Sequence, residues 1–318
     1  MSFSSRTKAE LAKERIKDDC CKIAALSALM RMSGSLQLAS GSKKRLRIST
    51  ESYAVTRWTI KLAKSLYHLE SETLILERKR LGKNRSFAIL LFGDAIERTL
   101  LDTGFLEETK EGIILGSGIP ENFLQNDCCR RSFLRGAFMG GGSICNPEKG
   151  YHFEFAVASE QFAQDLCNLL NSYDLNAKIV TRKGLYVVYL KESDKITEFL
   201  ALIGANGALL ELENVRTEKD FTNNINRKFN CETANIKKSV NAAVRQSEMI
   251  RYLLDNGEFS KLSPELREIA ELRIDNPELA LAELGALLDP PLGKSGVNHR
   301  LRKLEDIALS IKRQKGDA

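Results

Sequence analysis

The stretch DCCKIAALSALMRMSGS (Asp19–Ser35) recurs 108 positions later as DCCRRSFLRGAFMGGGS (Asp127–Ser143). Asp, Cys, Cys, Leu, Gly and Ser coincide in register, and Lys22 is matched by Arg130. Each copy is apolar, rich in small residues and ends in glycine, which predicts a helix with a left-handed glycine stop. Small residues allow two such helices to approach each other closely.

The same order of elements follows each copy. In the first half, alternation and helical periodicity predict strand 46–50, helix 53–69, strands 73–79 and 86–92, and a helix from Asp94. In the second half they predict strand 152–159, helix 161–171, strands 177–183 and 185–190, and helix 194–203. The sequence therefore predicts an α+β fold with two αββαββα repeats, at about 16–104 and 124–205, in a domain spanning residues 1–220.

Composition excludes several classes of protein. No apolar run approaches the roughly 20 residues of a membrane span, and the polar N-terminus has no signal sequence, so we expect a soluble cytoplasmic protein without membrane contact. Three scattered histidines leave few ways to build a histidine metal centre or a Ser-His-Asp triad. The adjacent pairs Cys20/Cys21 and Cys128/Cys129 lack C-x-x-C spacing, which favours reduced core thiols over a disulfide framework or a zinc site. We expect no metal and no cofactor.

Charge is distributed unevenly along the chain. Residues 1–90 contain 19 Lys and Arg against 8 Asp and Glu. Residues 260–292 contain 3 basic and 7 acidic residues, whereas residues 293–315 contain 7 basic and 2 acidic ones. Two separate basic regions predict a polyanionic partner.

The C-terminal region predicts a small helical domain, 260–318, after a polar linker, 221–259, with a connector helix from about 236 to 254. The pairs Ser263-Pro264 and Asn276-Pro277 predict helix starts at 264 and 277. After a six-residue turn, 289–294, Ser295 is expected to cap a third helix that runs to about 311. Its apolar positions follow helical spacing: Val297, Leu301, Leu304 and Ala308.

The opposite face of the third helix carries groups suited to base edges and phosphates. The predicted DNA-binding residues are Lys294, Ser295, Asn298, His299, Arg300, Arg302 and Lys303. An ordinary exposed helix face is the alternative. Three short helices of this kind resemble a helix-turn-helix domain, although the turn is longer than usual.

The segments LSALMRMSGS (26–35) and LRGAFMGGGS (134–143) resemble degenerate LAGLIDADG motifs. In the LAGLIDADG homing endonucleases, two motif helices pack at a pseudo-twofold axis beneath two DNA-binding sheets, and the last acid of each motif holds the catalytic metal. The resemblance implies that Ser33 and Gly141 lie close together at those two positions. Neither residue can bind Mg²⁺ as a carboxylate, so we expect no catalytic residues, and Asp19 and Asp127 lie about 21 Å away along the same helices.

Combined with the stretch 226–235 and the string KSGVNHRLRKLEDIA (294–308), these features resemble the WhiA family of bacterial transcriptional regulators over essentially the whole chain. The resemblance implies a non-enzymatic, sequence-specific DNA-binding protein involved in cell division, chromosome segregation and sporulation in Gram-positive bacteria. It would act on the nucleoid at promoters in double-stranded DNA, alone or with another transcription regulator or RNA polymerase. Because both halves of the pseudo-dimer are in one chain, we expect a monomer.

Two loops of the first repeat carry further basic residues: Lys43, Lys44, Arg45 and Arg47, and Arg78, Lys79, Arg80, Lys83 and Arg85. A secondary nucleic-acid contact, a protein contact and a solvated surface remain open for them. Two other functions also remain open for the chain, a protein-binding scaffold and a LAGLIDADG endonuclease with displaced acids.

Overall fold

The structure, a computed structural model, describes residues 1–38, 44–77 and 85–315. The chain divides into two compact units, Met1–Lys219 and Asp220–Ala318. No helix in the described ranges combines the length and the apolar character needed to cross a membrane.

The first unit contains the predicted pair of αββαββα repeats, preceded by helix α1 (Phe3–Leu11). The first repeat comprises α2 (Asp19–Ser33), β1 (Gly34–Leu38), β2 (Lys44–Thr50), α3 (Tyr53–Tyr67), β3 (Glu70–Glu77), β4 (Arg85–Phe92) and α4 (Ile96–Asp102). A hairpin that the sequence did not predict, β5 (Leu106–Thr109) with β6 (Gly112–Leu115), connects the repeats. The second repeat comprises α5 (Asp127–Gly141), β7 (Gly142–Ile144), β8 (Phe153–Val157), α6 (Glu160–Asn171), β9 (Lys178–Arg182), β10 (Leu185–Leu190) and α7 (Ser193–Ile203).

The two repeats build equivalent antiparallel sheets. Their strand orders are β1-β2-β4-β3 and β7-β8-β10-β9, so each central pair is the second and fourth strand of its repeat. The helix that crosses between the strand pairs starts in the same way in both repeats. Ser52 Oγ accepts from the Val55 amide at 3.4 Å, and Ser159 Oγ accepts from the Phe162 amide at 3.3 Å, which satisfies one free donor of each helix. The predicted internal duplication and α+β fold are confirmed.

Helices α2 and α5 lie side by side in the same direction at the centre of the first unit. A Cβ added to Gly136 would lie 2.0 Å from the carbonyl oxygen of Ala25, and one added to Gly140 would lie 3.1 Å from that of Leu29. Backbone is therefore in contact with backbone, which only glycine permits at Gly136. Around this contact are buried residues from both helices: Ala24, Ala28, Met30, Phe133, Ala137 and Phe138.

The glycine that follows each motif helix is not the left-handed stop that the sequence predicted. Gly34 has φ −88° and ψ 151°, and Gly142 has φ −70° and ψ 145°, so both are extended. The chain passes directly into β1 and β7 with no intervening turn. Glycine is needed for space instead, because an added Cβ would lie 2.4 Å from Met30 O at the first position and 2.3 Å from the Phe138 ring at the second.

Each motif helix also carries an arginine that binds the end of the last helix in its own repeat. Arg31 donates to the carbonyls of Gly104, just after α4, and of Gly116. Arg135 donates from Nε to Ile203 O at the end of α7, at 2.7 Å. Cations are favourable at helix C-termini, where carbonyls lack partners within the helix. Each arginine thus links the end of the last helix of its repeat to the central helix pair.

The predicted linker is helical from its first residue to Asp255. Helix α8 (Asn206–Asp255) runs without interruption, whereas the sequence predicted a helix only from about 236 to 254. The polar stretch rich in Asn and Thr has low helix propensity, but it contains neither glycine nor proline to end a helix that has already formed.

The second unit also contains α9 (Pro264–Asp275), α10 (Leu281–Ala286) and α11 (Lys294–Lys315). Its core joins these helices to the last turns of α8, through residues that include Ile250, Leu253, Ile269, Leu284, Leu301 and Leu304.

We expect Gly136→Ala to destabilise the first unit by about 2 kcal/mol or more, although alanine is favoured over glycine within a helix by about 1 kcal/mol. The matched control is Gly296→Ala in α11, where an added Cβ meets only the Leu292 side chain at 3.6 Å. Urea unfolding followed by circular dichroism measures both variants. Equal midpoints for the two would contradict the close helix contact.

Candidate nucleic-acid interface

Helix α11 is amphipathic, as its spacing predicts. Val297, Leu301, Leu304 and Ala308 are at most 1% exposed and face α9 and α10. The helix begins at Lys294, so Ser295 lies in its first turn and Gly293 takes the position before the helix, where the sequence had placed Ser295. The Val297 amide donates to the Gly293 carbonyl, which accounts for this earlier start.

The connection between α10 and α11 spans residues 287–293. The Leu292 amide donates to Gly285 O at 2.9 Å, and a Cβ added to Gly285 would lie 2.0 Å from Leu292 O. The end of the connection therefore rests directly on α10. This contact packs the end of a connection longer than that of most helix-turn-helix domains against α10.

The predicted helix start at Asn276-Pro277 is wrong. Asn276 ends α9, and α10 begins four residues after Pro277, with the Ala280 amide bound by the Glu283 carboxylate at 2.8 Å. Arg273, 2% exposed, donates to the carbonyls of Pro277 and Leu279 at 3.4 and 2.9 Å. Those carbonyls are bound by the guanidinium, which holds the segment outside the helix. Burial lowers the pKa of Arg273 from its usual range, and Glu278 opposes that shift.

Most of the predicted DNA-binding residues share one accessible surface. Lys294, Ser295, His299, Arg302 and Lys303 are exposed. Asn298 is half-buried and lines a groove between α8 and the segment before α10.

Arg300 points toward α9 instead. Its guanidinium lies 3.6 Å from a Glu265 carboxylate oxygen and 4.0 Å from one of Glu268. It thus joins α11 to α9, and a phosphate at this position would compete with two carboxylates. The spacing of residues along α11 could not predict this ion pair, because its carboxylates lie on a different helix, α9.

The secondary basic region is only partly described. Lys43, Arg78, Lys79, Arg80 and Lys83 lie outside the described residues, and so does the side chain of Arg85. Lys44 pairs with Glu97, and Arg45 lies over the Phe92 ring at 5.3 Å. Arg47 is half-buried. Lys44 and Arg45 are therefore engaged within the first unit.

The ends of α2 and α5 place Ser33 and Gly141 at the positions of the motif acids. A Cβ added to Gly141 would lie 3.9 Å from the carbonyl oxygen of Met32, next to Ser33. The Ser33 hydroxyl donates back to Leu29 O at 3.0 Å. A hydroxyl bound to its own helix and a glycine offer no carboxylate, so these residues do not fit the divalent metal of LAGLIDADG nucleases.

At the N-terminal ends of the same helices, the two adjacent cysteines of α2 lie beside the two adjacent cysteines of α5. The Sγ atoms of Cys20, Cys21, Cys128 and Cys129 all lie within 4.8 Å of one another, the one such cluster of potential metal ligands in the described part of the chain. Cys20 and Cys128 are exposed, so the prediction of core thiols fails for them. Burial raises the pKa of Cys21 to about 11. The internal repeat, which aligns Cys20 with Cys128 and Cys21 with Cys129, is the sequence feature that indicates this cluster, since the chain has no C-x-x-C spacing there.

Comparison with known proteins gives consistent matches along the chain. The WhiA N-terminal LAGLIDADG-like domain matches residues 19–106, the WhiA LAGLIDADG-like domain residues 130–222, and the WhiA C-terminal HTH domain residues 225–308. A "probable cell division protein WhiA" of Alkaliphilus metalliredigens is 45% identical over 97% of this chain and 98% of its own. Another, from Clostridium botulinum, is 46% identical over 98% and 99%. The crystal structure of full-length DUF199/WhiA from Thermotoga maritima matches with a TM-score of 0.61 and 26% identity, over 98% of this chain and 99% of that one.

Fold and site together define a LAGLIDADG-like protein that lacks the motif acids and carries an additional helix-turn-helix domain. The full-length matches to relatives well above 30% identity then give the family. The chain belongs to the WhiA family.

We expect Arg273→Ala to destabilise the second unit by about 3 kcal/mol, because it leaves two backbone carbonyls without a donor and a cavity in the core. Arg302→Ala, which removes the same side chain from an exposed position, is the control and should change stability by less than about 0.5 kcal/mol. Hydrogen exchange of the α9 to α11 amides measures both. Unchanged protection in the Arg273 variant would contradict this role.

Proposed function

We propose that this protein is a non-catalytic, sequence-specific DNA-binding regulator of transcription, with α11 as its recognition helix. The observation that carries the proposal is the exposed face of α11, on which cationic and hydrogen-bonding groups lie opposite a fully buried apolar stripe. Only one face of such a helix is free to enter a major groove. The match to a family of HTH domains supports the same role.

The chemistry of this face suggests a role for each side chain. Arg302 is suited to bind guanine O6 and N7 with two hydrogen bonds, and His299 and Asn298 lie nearer the helix start, where base edges are first met. Lys294, Ser295 and Lys303 would bind phosphates, and the free amides of the first turn add to their attraction. Arg300 remains in the proposed interface as the residue that orients α11 through Glu265 and Glu268.

The names of the relatives, which are probable cell division proteins, support a role in cell division. We place the regulated genes in cell division and chromosome segregation, and in sporulation where the host forms spores. The protein would work in the cytoplasm, associated with the nucleoid, as a monomer on promoter DNA. Another transcription regulator or RNA polymerase is the protein partner we would test first.

We expect Arg302→Ala to weaken binding to the preferred sequence by about 1–3 kcal/mol and to blur that preference, because it removes a base contact. Lys303→Ala should weaken binding to all sequences alike and lower the salt slope by about one unit, because it removes a phosphate contact. The measurement is selection of bound sequences from a random pool, followed by fluorescence anisotropy at several salt concentrations.

Arg313→Ala is the matched control, since it removes an exposed charge at the far end of α11. It should bind like the unaltered protein. If Arg302→Ala keeps both affinity and preference, α11 is not the reader. If the unaltered protein shows no salt-dependent DNA binding, the scaffold alternative takes its place.

DNA cleavage is expected to be absent with Mg²⁺ or Mn²⁺, because Ser33 and Gly141 provide no carboxylate for a metal at either scissile phosphate. Nicking of supercoiled plasmid, read on agarose gels across the fractions of a final column, measures this. Metal-dependent nicking that follows the protein peak would overturn the non-catalytic assignment and favour an endonuclease with displaced acids.

A further inference from the structure

The N-terminal ends of α2 and α5 hold four sulfur atoms in a compact group. Cys20 Sγ lies 4.0 Å from Cys21 Sγ, and Cys128 Sγ lies 4.0 Å from Cys129 Sγ. No two of the four are more than 4.8 Å apart. Because Zn–S bonds are about 2.3 Å, thiolates on one tetrahedral zinc ion are about 3.8 Å from one another. Small rotations of the side chains therefore suffice to surround a single ion.

We propose that Cys20, Cys21, Cys128 and Cys129 bind one structural Zn²⁺ ion, which joins the starts of the two central helices. Each repeat contributes two ligands, so neither half contains a complete site. This explains why the ligand spacing is two adjacent cysteines, given twice, rather than the C-x-x-C of a site built from one loop. The proposal is independent of DNA binding.

The exposure of the sulfurs argues against simple core packing. Cys21 and Cys129 are buried, at 5% and 2%, but Cys20 and Cys128 are exposed at the surface. Apolar burial accounts for two thiols and not for their two exposed neighbours. A bound ion accounts for both kinds, because the buried pair would anchor it and the exposed pair would provide the path by which it enters.

The surroundings balance the charge of such a centre. Binding releases four thiol protons and leaves a zinc–tetrathiolate group of net charge −2. All four cysteines lie in the first turns of α2 and α5, whose N-terminal amides stabilise thiolates. The positive charge of Arg135, on α5, also interacts favourably with a Cys21 thiolate.

The two carboxylates directly next to the cysteine pairs in the sequence, Asp19 and Asp127, are already paired. Asp19 binds Lys22 at 2.6 Å, and Asp127 binds Arg131 and the Tyr173 hydroxyl, each at 2.7 Å. They therefore contribute little repulsion toward the thiolates.

The choice of zinc follows from the ligands and their spacing. Soft thiolates select zinc, copper(I) or iron–sulfur clusters over Mg²⁺ and Ca²⁺. Iron–sulfur clusters place sulfide between the iron atoms, so their cysteine sulfurs are spread over a wider space than this one. Four sulfurs in a closed group match the tetrahedral four-cysteine geometry of structural zinc, and Zn²⁺ binds a given site more tightly than Fe²⁺ does.

The experiment uses the full-length protein, purified under reducing conditions without chelator and then equilibrated with Zn²⁺ and desalted. Elemental analysis by mass spectrometry gives the metal content, and X-ray absorption gives the ligand shell. The test variant is Cys20→Ser/Cys128→Ser, which changes only exposed positions so that the core is kept. Cys231→Ser, at an exposed cysteine on α8, is the control.

We expect about one zinc per chain, with four sulfur neighbours at about 2.3 Å, in the unaltered protein and in the control. The double variant should hold less than about a tenth of that, and should melt at the temperature of unaltered protein stripped of metal. Co²⁺ in place of Zn²⁺ should give the intense thiolate-to-metal absorption of a tetrahedral sulfur site.

Three results would overturn the proposal. The first is unaltered protein that holds less than about a tenth of an equivalent after equilibration with Zn²⁺. The second is metal retained by a folded double variant at the level of the control, which would place the ion elsewhere. The third is a disulfide between α2 and α5 in the protein purified with reductant, found by mass spectrometry, because such a bond consumes two of the four ligands.

Discussion

The backbone contact between α2 and α5 is the constraint on which the first unit depends. At Gly136 the two main chains are so close that a single methyl group would strike the Ala25 carbonyl. Each sheet begins directly at the end of one of these helices, since Gly34 and Gly142 are extended and lead into β1 and β7 without a turn. A displacement of either helix would therefore move a whole four-stranded sheet. Close packing of this kind transmits strain, because interiors have little free volume.

The pseudo-twofold arrangement gives the two ends of the helix pair different chemistry. At the C-terminal ends, where the LAGLIDADG resemblance implies a metal held by acids, a serine bound to its own helix and a glycine remain. At the N-terminal ends, two cysteines from each repeat lie together. The helix contact keeps the architecture without the acids, since packing depends on small residues and not on charge.

In the second unit, three contacts control the position of α11. Arg273 binds the carbonyls of the segment before α10, and the end of the following connection rests on Gly285. A buried guanidinium is costly unless all its neighbours are well placed. The Arg273 guanidinium therefore specifies one conformation for the segment before α10, although the sequence of that segment predicts a helix start four residues earlier. The exposed face of α11 takes its orientation from these buried contacts and from Arg300.

The sequence by itself determined the duplication, the element order of both repeats and the inward face of α11, because each depends on local periodicity or on residues repeated in register. Only the tertiary structure decided where α10 begins, since that depends on Arg273 reaching carbonyls beyond its own helix. The tertiary structure likewise decided that Arg300 faces α9. It also decided that glycine is required after α2 and α5 because a side chain would not fit there, and not because the backbone makes a left-handed turn. The four thiols meet for the same reason: residues 108 positions apart become neighbours only when two helices pack, and no spacing along one segment records that contact.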